Sequence, residues 1–218
     1  MPPHWLYLLS IIALIAAFAS AVVIALDLRR HRQKMGVMNA VWPVTALYFG
    51  PFAIWAYWTM GRQAGTNHKD KPFWMTTFVG ATHCGAGCTL GDIIAEFMVF
   101  FTGLAIAGSS FGAELVGDYI LAFSLGIAFQ YFAIVPMRNL SPGQGIIAAL
   151  KADALSLTSF EIGLFGWMAL MRFVFFHPAL YPNSPVFWFM MQIGMIVGFA
   201  TTFPVNWWLV KAGIKEAM

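Results

Sequence analysis

Charged side chains are scarce in this sequence, although the chain is long enough for a sizeable domain. Only 12 Lys and Arg and 9 Asp and Glu occur among 218 residues, or 10% of the chain, against roughly a quarter in a soluble domain. So few charges exclude a soluble globular enzyme and a disordered chain. The bases lie in short stretches between apolar runs, so we expect no nucleic-acid partner either.

Cysteine is equally scarce, and apolar residues make up most of the chain. Two cysteines, Cys84 and Cys88, exclude a disulfide framework. The 60% of hydrophobic residues would nearly fill six spans of about 20 residues each. The sequence therefore predicts an all-α, polytopic transmembrane helix bundle of five or six spans. We expect a single domain over residues 1–218, with the lipid bilayer of a bacterial inner (cytoplasmic) membrane around it.

The apolar runs predict where the spans lie, in chain order 5–27, 38–60, 75–107, 119–137, 152–176 and 186–210. Arg29 and Arg30 follow the first run at once, whereas a signal peptide carries its positive charge before the apolar run. We therefore interpret the first run as a retained anchor. The second run contains Gly50 and Pro51, where a helix breaks, so this run either crosses the membrane or re-enters on the same side.

The distribution of Lys and Arg predicts the orientation. If all six runs cross, seven bases lie on one side and five on the other; if the second run re-enters, the ratio becomes eleven to one. Cytoplasmic loops carry the excess of bases, and both counts place the C-terminus in the cytoplasm. The number of crossings stays open at this point.

One segment of the third run combines thiols, an imidazole and carboxyl groups at membrane depth. A helix of 100° per residue places small residues and both thiols on one stripe, formed by Gly80, Cys84, Gly87, Cys88, Gly91, Ala95 and Met98. Such a stripe is also typical of helix packing, within the chain or in a homo-oligomer. Because thiolate and imidazole suit soft ions, we predict a copper ion, with zinc as the alternative, bound by Cys84, Cys88, His83 and Asp92.

Further polar and thioether side chains extend this interpretation. At membrane depth the acids Asp92, Glu96 and Glu161 outnumber the one base, Arg172. This excess indicates that Glu96 and Glu161, with Asp153 near the start of the fifth span, balance the charge of a cation or relay protons. In the alternative, Asp153 and Glu161 only bond to nearby hydroxyls or to the backbone. The methionines that could make secondary thioether contacts are Met98, Met191 and Met195, although core packing is the favoured role of methionine in so apolar a chain.

Three functions follow from these residues. The favoured one is a membrane protein that binds copper(I) and moves or senses it, with a periplasmic or membrane copper protein as partner. The second is a thiol–disulfide or quinone-linked oxidoreductase, which needs the helix to break at residues 85–87 because cysteines four residues apart on a helix lie too far apart for a disulfide. The third is a proton-coupled transporter in which the cysteines only pack. We expect binding or transport rather than catalysis.

Several segments resemble a known family. They are residues 43–51 (PVTALYFGP), 83–92 (HCGAGCTLGD), 151–156 (KADALS), 204–209 (PVNWWL) and 213–216 (GIKE). The chain is similar, from the second run onward, to a bacterial membrane family catalogued as domain of unknown function 4396, and the His-Cys block is the most specific part. The resemblance implies no established activity, and an association of some members by name with copper oxidases agrees with soft ligands.

Overall fold

The computed structural model describes residues 2–62 and 71–215, and within these ranges the chain is helical with no strand. The helices are α1 (His4–Arg30), α2 (Met38–Phe49), α3 (Pro51–Ala56), α4 (Phe73–Thr102), α5 (Ser110–Arg138), α6 (Pro142–Leu170) and α7 (Pro185–Lys211). The π-helical turns Tyr57–Gly61 and Met171–Phe175 extend α3 and α6. Five of these helices, namely α1, α4, α5, extended α6 and α7, are long and apolar enough to span a membrane. The predicted all-α membrane bundle is therefore confirmed; Lys69 and Glu216 lie outside the described residues.

Two helices begin earlier than the predicted spans. α5 starts at Ser110 rather than near 119, because Glu114 and Asp118, which the predicted spans leave in the loop, lie on this helix and are buried in the bundle. α6 starts at Pro142 rather than near 152. Its first turn has a capping box between Ser141 and Gln144, and proline suits the first position of a helix.

The second apolar run forms a broken, re-entrant pair of helices. The backbone turns at Gly50, where φ is +57°, and α3 leads back to the side from which α2 started. There the Tyr57 hydroxyl donates to Asp27 at the end of α1 over 2.7 Å, and the Arg62 side chain lies 3.3 Å from the same carboxylate. Trp42, near the start of α2, packs edge-on against Tyr57 with ring centroids 5.5 Å apart.

The two ends of the bundle differ in charge. α1 starts beside the start of α7, since Leu6 and Val186 pack in one cluster, and α6 starts beside the end of α5, since Gly145 lies against Tyr131. The ends of α1, α5 and α7 and the starts of α4 and α6 therefore share what we call the basic end. The described bases on this side are Arg29, Arg30, Arg32, Lys34, Arg62, Lys71, Arg138, Lys151, Lys211 and Lys215. The other end, with the loop between α4 and α5, we call the opposite end.

α4 is the central helix, and its small residues allow close packing. Every residue from 77 to 89 is buried, so neighbours surround this stretch on all sides. A Cβ atom added at Gly87 would overlap the backbone of Gly126 on α5, and one at Gly91 would overlap that of Ala122. The small-residue stripe is thus covered within the chain. A homo-oligomer through this stripe is not supported, because α5 packs on Gly87 and Gly91 within the chain.

The outer faces of the helices are apolar, as a bilayer requires. On α1, for example, Trp5, Ile12, Ile15 and Phe18 are each more than 60% exposed. No water covers such a face in a membrane, and the backbone polar groups are satisfied within the helices. The lipid bilayer is therefore the natural surroundings of this bundle.

Candidate functional site

Both cysteines lie at the centre of the bundle, where α4 meets α6. They are free thiols and are fully buried. The Cys84 Sγ lies 2.8 Å from the Ser156 Oγ on α6. Cys88, one turn further along α4, lies beside Cys84 and close to Glu161 of α6. The two thiols therefore face the same neighbouring helix, where Cys84 is hydrogen-bonded to Ser156 and Cys88 lies near the Glu161 carboxyl group.

The tip of the re-entrant pair packs on the same part of α4. Tyr48 comes two residues before Gly50, and its hydroxyl would lie 2.6 Å from a Cβ atom added at Gly85. This hydroxyl is near both thiols. The Gln192 Nε2 of α7 donates to the Leu47 carbonyl over 2.6 Å. A polar side chain thus satisfies backbone next to the helix break, as broken helices at membrane depth require.

From Cys84, hydrogen bonds lead toward the basic end. The Ser156 Oγ also lies 3.4 Å from the Asp153 Oδ1 and accepts from the Asn206 Nδ2 over 3.1 Å. The Lys215 Nζ donates to the Asp153 Oδ1, and to the Asn206 Oδ1 over 2.7 Å. All these side chains are buried, so the network crosses from α4 to α6, α7 and the segment after α7 without leaving the interior.

From Cys88, carboxyl groups lead toward the opposite end. Asp92 of α4 lies close enough to Glu161, Asp118 and Glu96 to interact with their charge, and all four are at most 3% exposed. Neither carboxylate oxygen of Asp92 or of Glu161 has a hydrogen-bond partner among the described residues. Three helices thus bring four carboxyl groups together, and Asp92 and Glu161 form no hydrogen bond that would neutralise them within the described residues.

The carboxyl groups continue to a base at the opposite end. Glu96 lies near Glu114 of α5 and Arg172. The Arg172 Nη1 is 3.2 Å from the Glu114 Oε2, and its Nη2 donates to the Ser110 Oγ over 2.9 Å. A cavity of about 350 Å³ is lined in part by Ser110, Glu114 and Tyr181, so it reaches Glu114 at this end.

Together these residues form what we call the polar series: Lys215, Asp153, Asn206, Ser156, Cys84, Cys88, Glu161, Asp92, Asp118, Glu96, Glu114 and Arg172. On α6, Asp153 and Arg172 are separated by about 28 Å at 1.5 Å per residue. The hydrocarbon core of a bilayer is about 30 Å thick. The polar series is therefore long enough to extend through the apolar part of a membrane.

The predicted metal ligands converge only in part. Cys84 and Cys88 share one face of α4, but neither ring nitrogen of His83 has a hydrogen-bond partner within residues 2–62 and 71–215. Gly87 of α4 lies against Gly126 of α5, and one turn nearer the start of α4 the same register places His83 level with Gln130. The Gln130 side-chain amide is also buried and has no hydrogen-bond partner among the described residues. In the described part of the chain no three His, Cys, Asp or Glu side chains are arranged to hold a metal ion.

The secondary residues have different surroundings. Asp153 is paired with Lys215, whereas Glu96 and Glu161 join the carboxyl groups around Asp92. Met98 does not extend the site, because it is 39% exposed on the outside of α4. Met191 and Met195 are buried beside an apolar cavity of about 310 Å³, and the Met195 sulfur accepts from the Thr89 hydroxyl over 3.6 Å.

The oxidoreductase alternative required a broken helix, and α4 is continuous from Phe73 to Thr102. The two cysteines are both free thiols. The geometry of α4 therefore does not favour an internal disulfide between them.

Sequence reasoning missed several members of the polar series. Glu114 and Asp118 lie between the predicted spans 75–107 and 119–137, yet they repeat the four-residue spacing of Asp92 and Glu96. The two pairs flank one short loop, and antiparallel helices joined by such a loop place them face to face, so this signal was present. Lys215 had no comparable signal, because its burial depends on how the segment after α7 folds back.

The fold and the polar series define a polytopic α-helical membrane protein with a charged interior. The chain belongs to the family described as Domain of unknown function (DUF4396), whose family model matches residues 73–215. This match contains the whole polar series, whereas α1, the re-entrant pair and the block 43–51 precede it. No curated protein and no solved structure matches the chain.

Proposed function

We propose that this protein moves protons across a membrane along the polar series. The observation that carries the proposal is that three helices bring Asp92, Asp118 and Glu161 together in the interior, where no described base forms an ion pair with any of them. A carboxyl group at membrane depth must be protonated, paired or neutralised by a cation. Carboxyl groups in mutual range can take up and pass on a proton, and Glu161 connects them to the thiols at the centre.

The distribution of bases supports an orientation for this function. With the second run re-entrant, the sequence places eleven of its twelve Lys and Arg at the basic end and only Arg172 at the opposite end. Because cytoplasmic segments carry the excess of bases, we assign the basic end to the cytoplasm and the protein to a bacterial inner membrane. Protons would then enter beside Glu114, from the non-cytoplasmic side.

Proton flux into vesicles tests the proposal. The purified protein is reconstituted into liposomes that contain a pH-sensitive dye, and a potassium diffusion potential, negative inside, drives proton entry. We expect the wild type to acidify the interior faster than empty vesicles do. Asp92→Asn should reduce the rate to that of empty vesicles, because an amide keeps the shape of the side chain but cannot exchange a proton.

Asp27→Asn is the matched control, because it also removes one carboxylate. Asp27 lies at the basic end with Tyr57 and Arg62 and is not part of the polar series. Its variant should keep the wild-type proton flux. The proposal is refuted if wild-type vesicles acidify no faster than empty ones, or if Asp92→Asn conducts as well as Asp27→Asn.

A soft metal ion is the second candidate cargo. Two fully buried free thiols one helical turn apart favour it, and thiols are ligands that copper(I) prefers. In this case two sulfur atoms would bind the ion, and the acids of the polar series would balance its charge. Zinc has less support, because its structural sites use four ligands.

Metal analysis tests this second candidate. Wild type and the double variant Cys84→Ser/Cys88→Ser are purified without chelator under reducing conditions, loaded with copper(I), washed and analysed. We expect one copper ion per wild-type chain and none in the variant. Equal copper in both proteins would contradict a thiol site, and it would leave the proton proposal to its own flux measurement.

A further inference from the structure

The ammonium group of Lys215 lies inside the bundle, although the residue follows the last helix. The chain turns back after α7 at Gly213, where φ is +70°, and the Lys215 backbone N–H donates to the Leu209 carbonyl over 3.2 Å. The side chain is fully buried. It passes Gly80 of α4, where an added Cβ atom would lie 3.9 Å from the Lys215 Cε. The interior thus has room for this one long side chain.

The groups that receive the ammonium form a set of oxygen ligands. The Lys215 Nζ donates to Asp153 and Asn206, and the Ser156 hydroxyl lies within 3.4 Å of both. The second carboxylate oxygen of Asp153 is buried and has no hydrogen-bond partner among the described residues. One negative charge with neutral oxygens around it suits a hard monovalent cation, in contrast to the two thiols beyond Ser156.

We propose that Asp153, Asn206 and Ser156 form a binding site for a monovalent cation, which Lys215 occupies as a built-in cation. The site lies at the basic end of the polar series, and the Ser156 hydroxyl connects it directly to the Cys84 thiol at 2.8 Å. With Lys215 in place the series is closed at this end. When the segment after α7 withdraws, an alkali or ammonium ion replaces the lysine. This role in gating rests on the proposed function, whereas the ion site itself does not.

Ion-dependent stability of Lys215→Met tests the site. Methionine keeps a long apolar side chain but removes the charge, so Asp153 then needs another cation. The melting temperature is measured in NaCl, KCl or NH₄Cl against N-methylglucamine chloride at equal ionic strength. We expect at least one ion to raise the Tm of Lys215→Met by about 3–6 °C at ten times its Kd. Wild type and Asp153→Asn/Lys215→Met should show no such ion-specific shift.

Lys211→Met is the matched control, because Lys211 is exposed on the same segment and stacks on Trp207. Its Tm should not depend on which cation is present. If Lys215→Met shows no ion-specific shift, or if its double variant with Asp153→Asn shows the same shift, the site is refuted. The Tm measurement does not depend on transport, so it tests the ion site alone. The vesicle assay tests the proton proposal independently.

A second measurement uses the unaltered protein, in case Lys215→Met does not fold. An amine-acylating reagent is added in detergent, and labelling of Lys215 and Lys211 is followed by mass spectrometry. An ion that competes for the site should speed the labelling of Lys215 severalfold and leave that of Lys211 unchanged. Labelling of Lys215 that does not respond to any of the three ions would overturn the proposal.

Discussion

Gly87→Ala is expected to separate α4 from α5, because one methyl group does not fit between them. The added Cβ atom would overlap the Gly126 backbone, and backbone cannot move aside as a flexible side chain can. The same contact fixes the register that brings Asp92 within electrostatic range of Asp118, about one turn away on α5. The substitution therefore tests whether the helix packing that assembles the polar series is as close as the structure shows.

The expected magnitude follows from two opposing effects. Replacing glycine by alanine within a helix stabilises it by about 1 kcal/mol, whereas overpacking a tight interior destabilises by about 1–3 kcal/mol. Gly166→Ala on α6 provides the control, since nothing lies within 4 Å of its added Cβ atom. Only the first effect applies there. We expect Gly87→Ala to be less stable than Gly166→Ala by about 1–3 kcal/mol.

A thiol-reactive dye can measure this difference, because Cys84 and Cys88 are fully buried and react only after unfolding. In a chain of this size each kcal/mol shifts the Tm by about 2–4 °C. Gly87→Ala should therefore melt at least about 2 °C below Gly166→Ala. Equal melting temperatures for the two variants, or a higher one for Gly87→Ala, would show that the packing of α4 on α5 is looser than described.

Two further predictions, one for the ion pair at the opposite end and one for the re-entrant turn, use the same thermal assay. Arg172→Met and Glu114→Gln should each destabilise the protein, because each leaves a mostly buried partner unpaired. The double variant should be destabilised by about 0.5–3 kcal/mol less than the sum of the two single effects. Strictly additive effects would contradict the pairing of these two residues. Gly50→Ala should destabilise by about 1–3 kcal/mol, since its φ of +57° favours glycine. Gly36→Ala, at an open position without positive φ, is its control and should leave the Tm unchanged.

Which segments form membrane helices could be predicted from the sequence, because the length of an apolar run determines whether it can span a bilayer. A run of about 20 apolar residues leaves few alternatives to a membrane helix. The break at Gly50-Pro51 was also visible, and the base count differed between a re-entrant and a crossing segment without deciding between them. What the sequence left open was whether the chain turns back there, and the contacts of Tyr57 and Arg62 with Asp27 answer this in the structure.

The composition of the site was harder to predict, since it depends on which helices are neighbours. Periodicity correctly placed Cys84 and Cys88 on one face of α4 but could not say that α6 would supply Ser156 and Glu161 to that face. His83 was grouped with the thiols because it is adjacent in sequence. His83 is rotated by 100° from Cys84 around the helix and therefore faces a different neighbour. In the structure it lies level with Gln130 of α5.

The acids of this protein fall into two groups that differ in how their charge is neutralised. Asp27 is paired with Arg62 and Asp153 with Lys215, so a structural ion pair explains each of these acids. Asp92 and Glu161 have no such partner, and keeping them at membrane depth is unfavourable unless a proton or another cation is taken up. In the polar series the two thiols lie between two halves. On one side Asp153 is paired with Lys215, and on the other side Asp92 and Glu161 have no hydrogen-bond partner among the described residues. In the proposed proton pathway, the half that contains the Asp153–Lys215 pair would hold back protons, while the half around Asp92 equilibrates with its own side of the membrane.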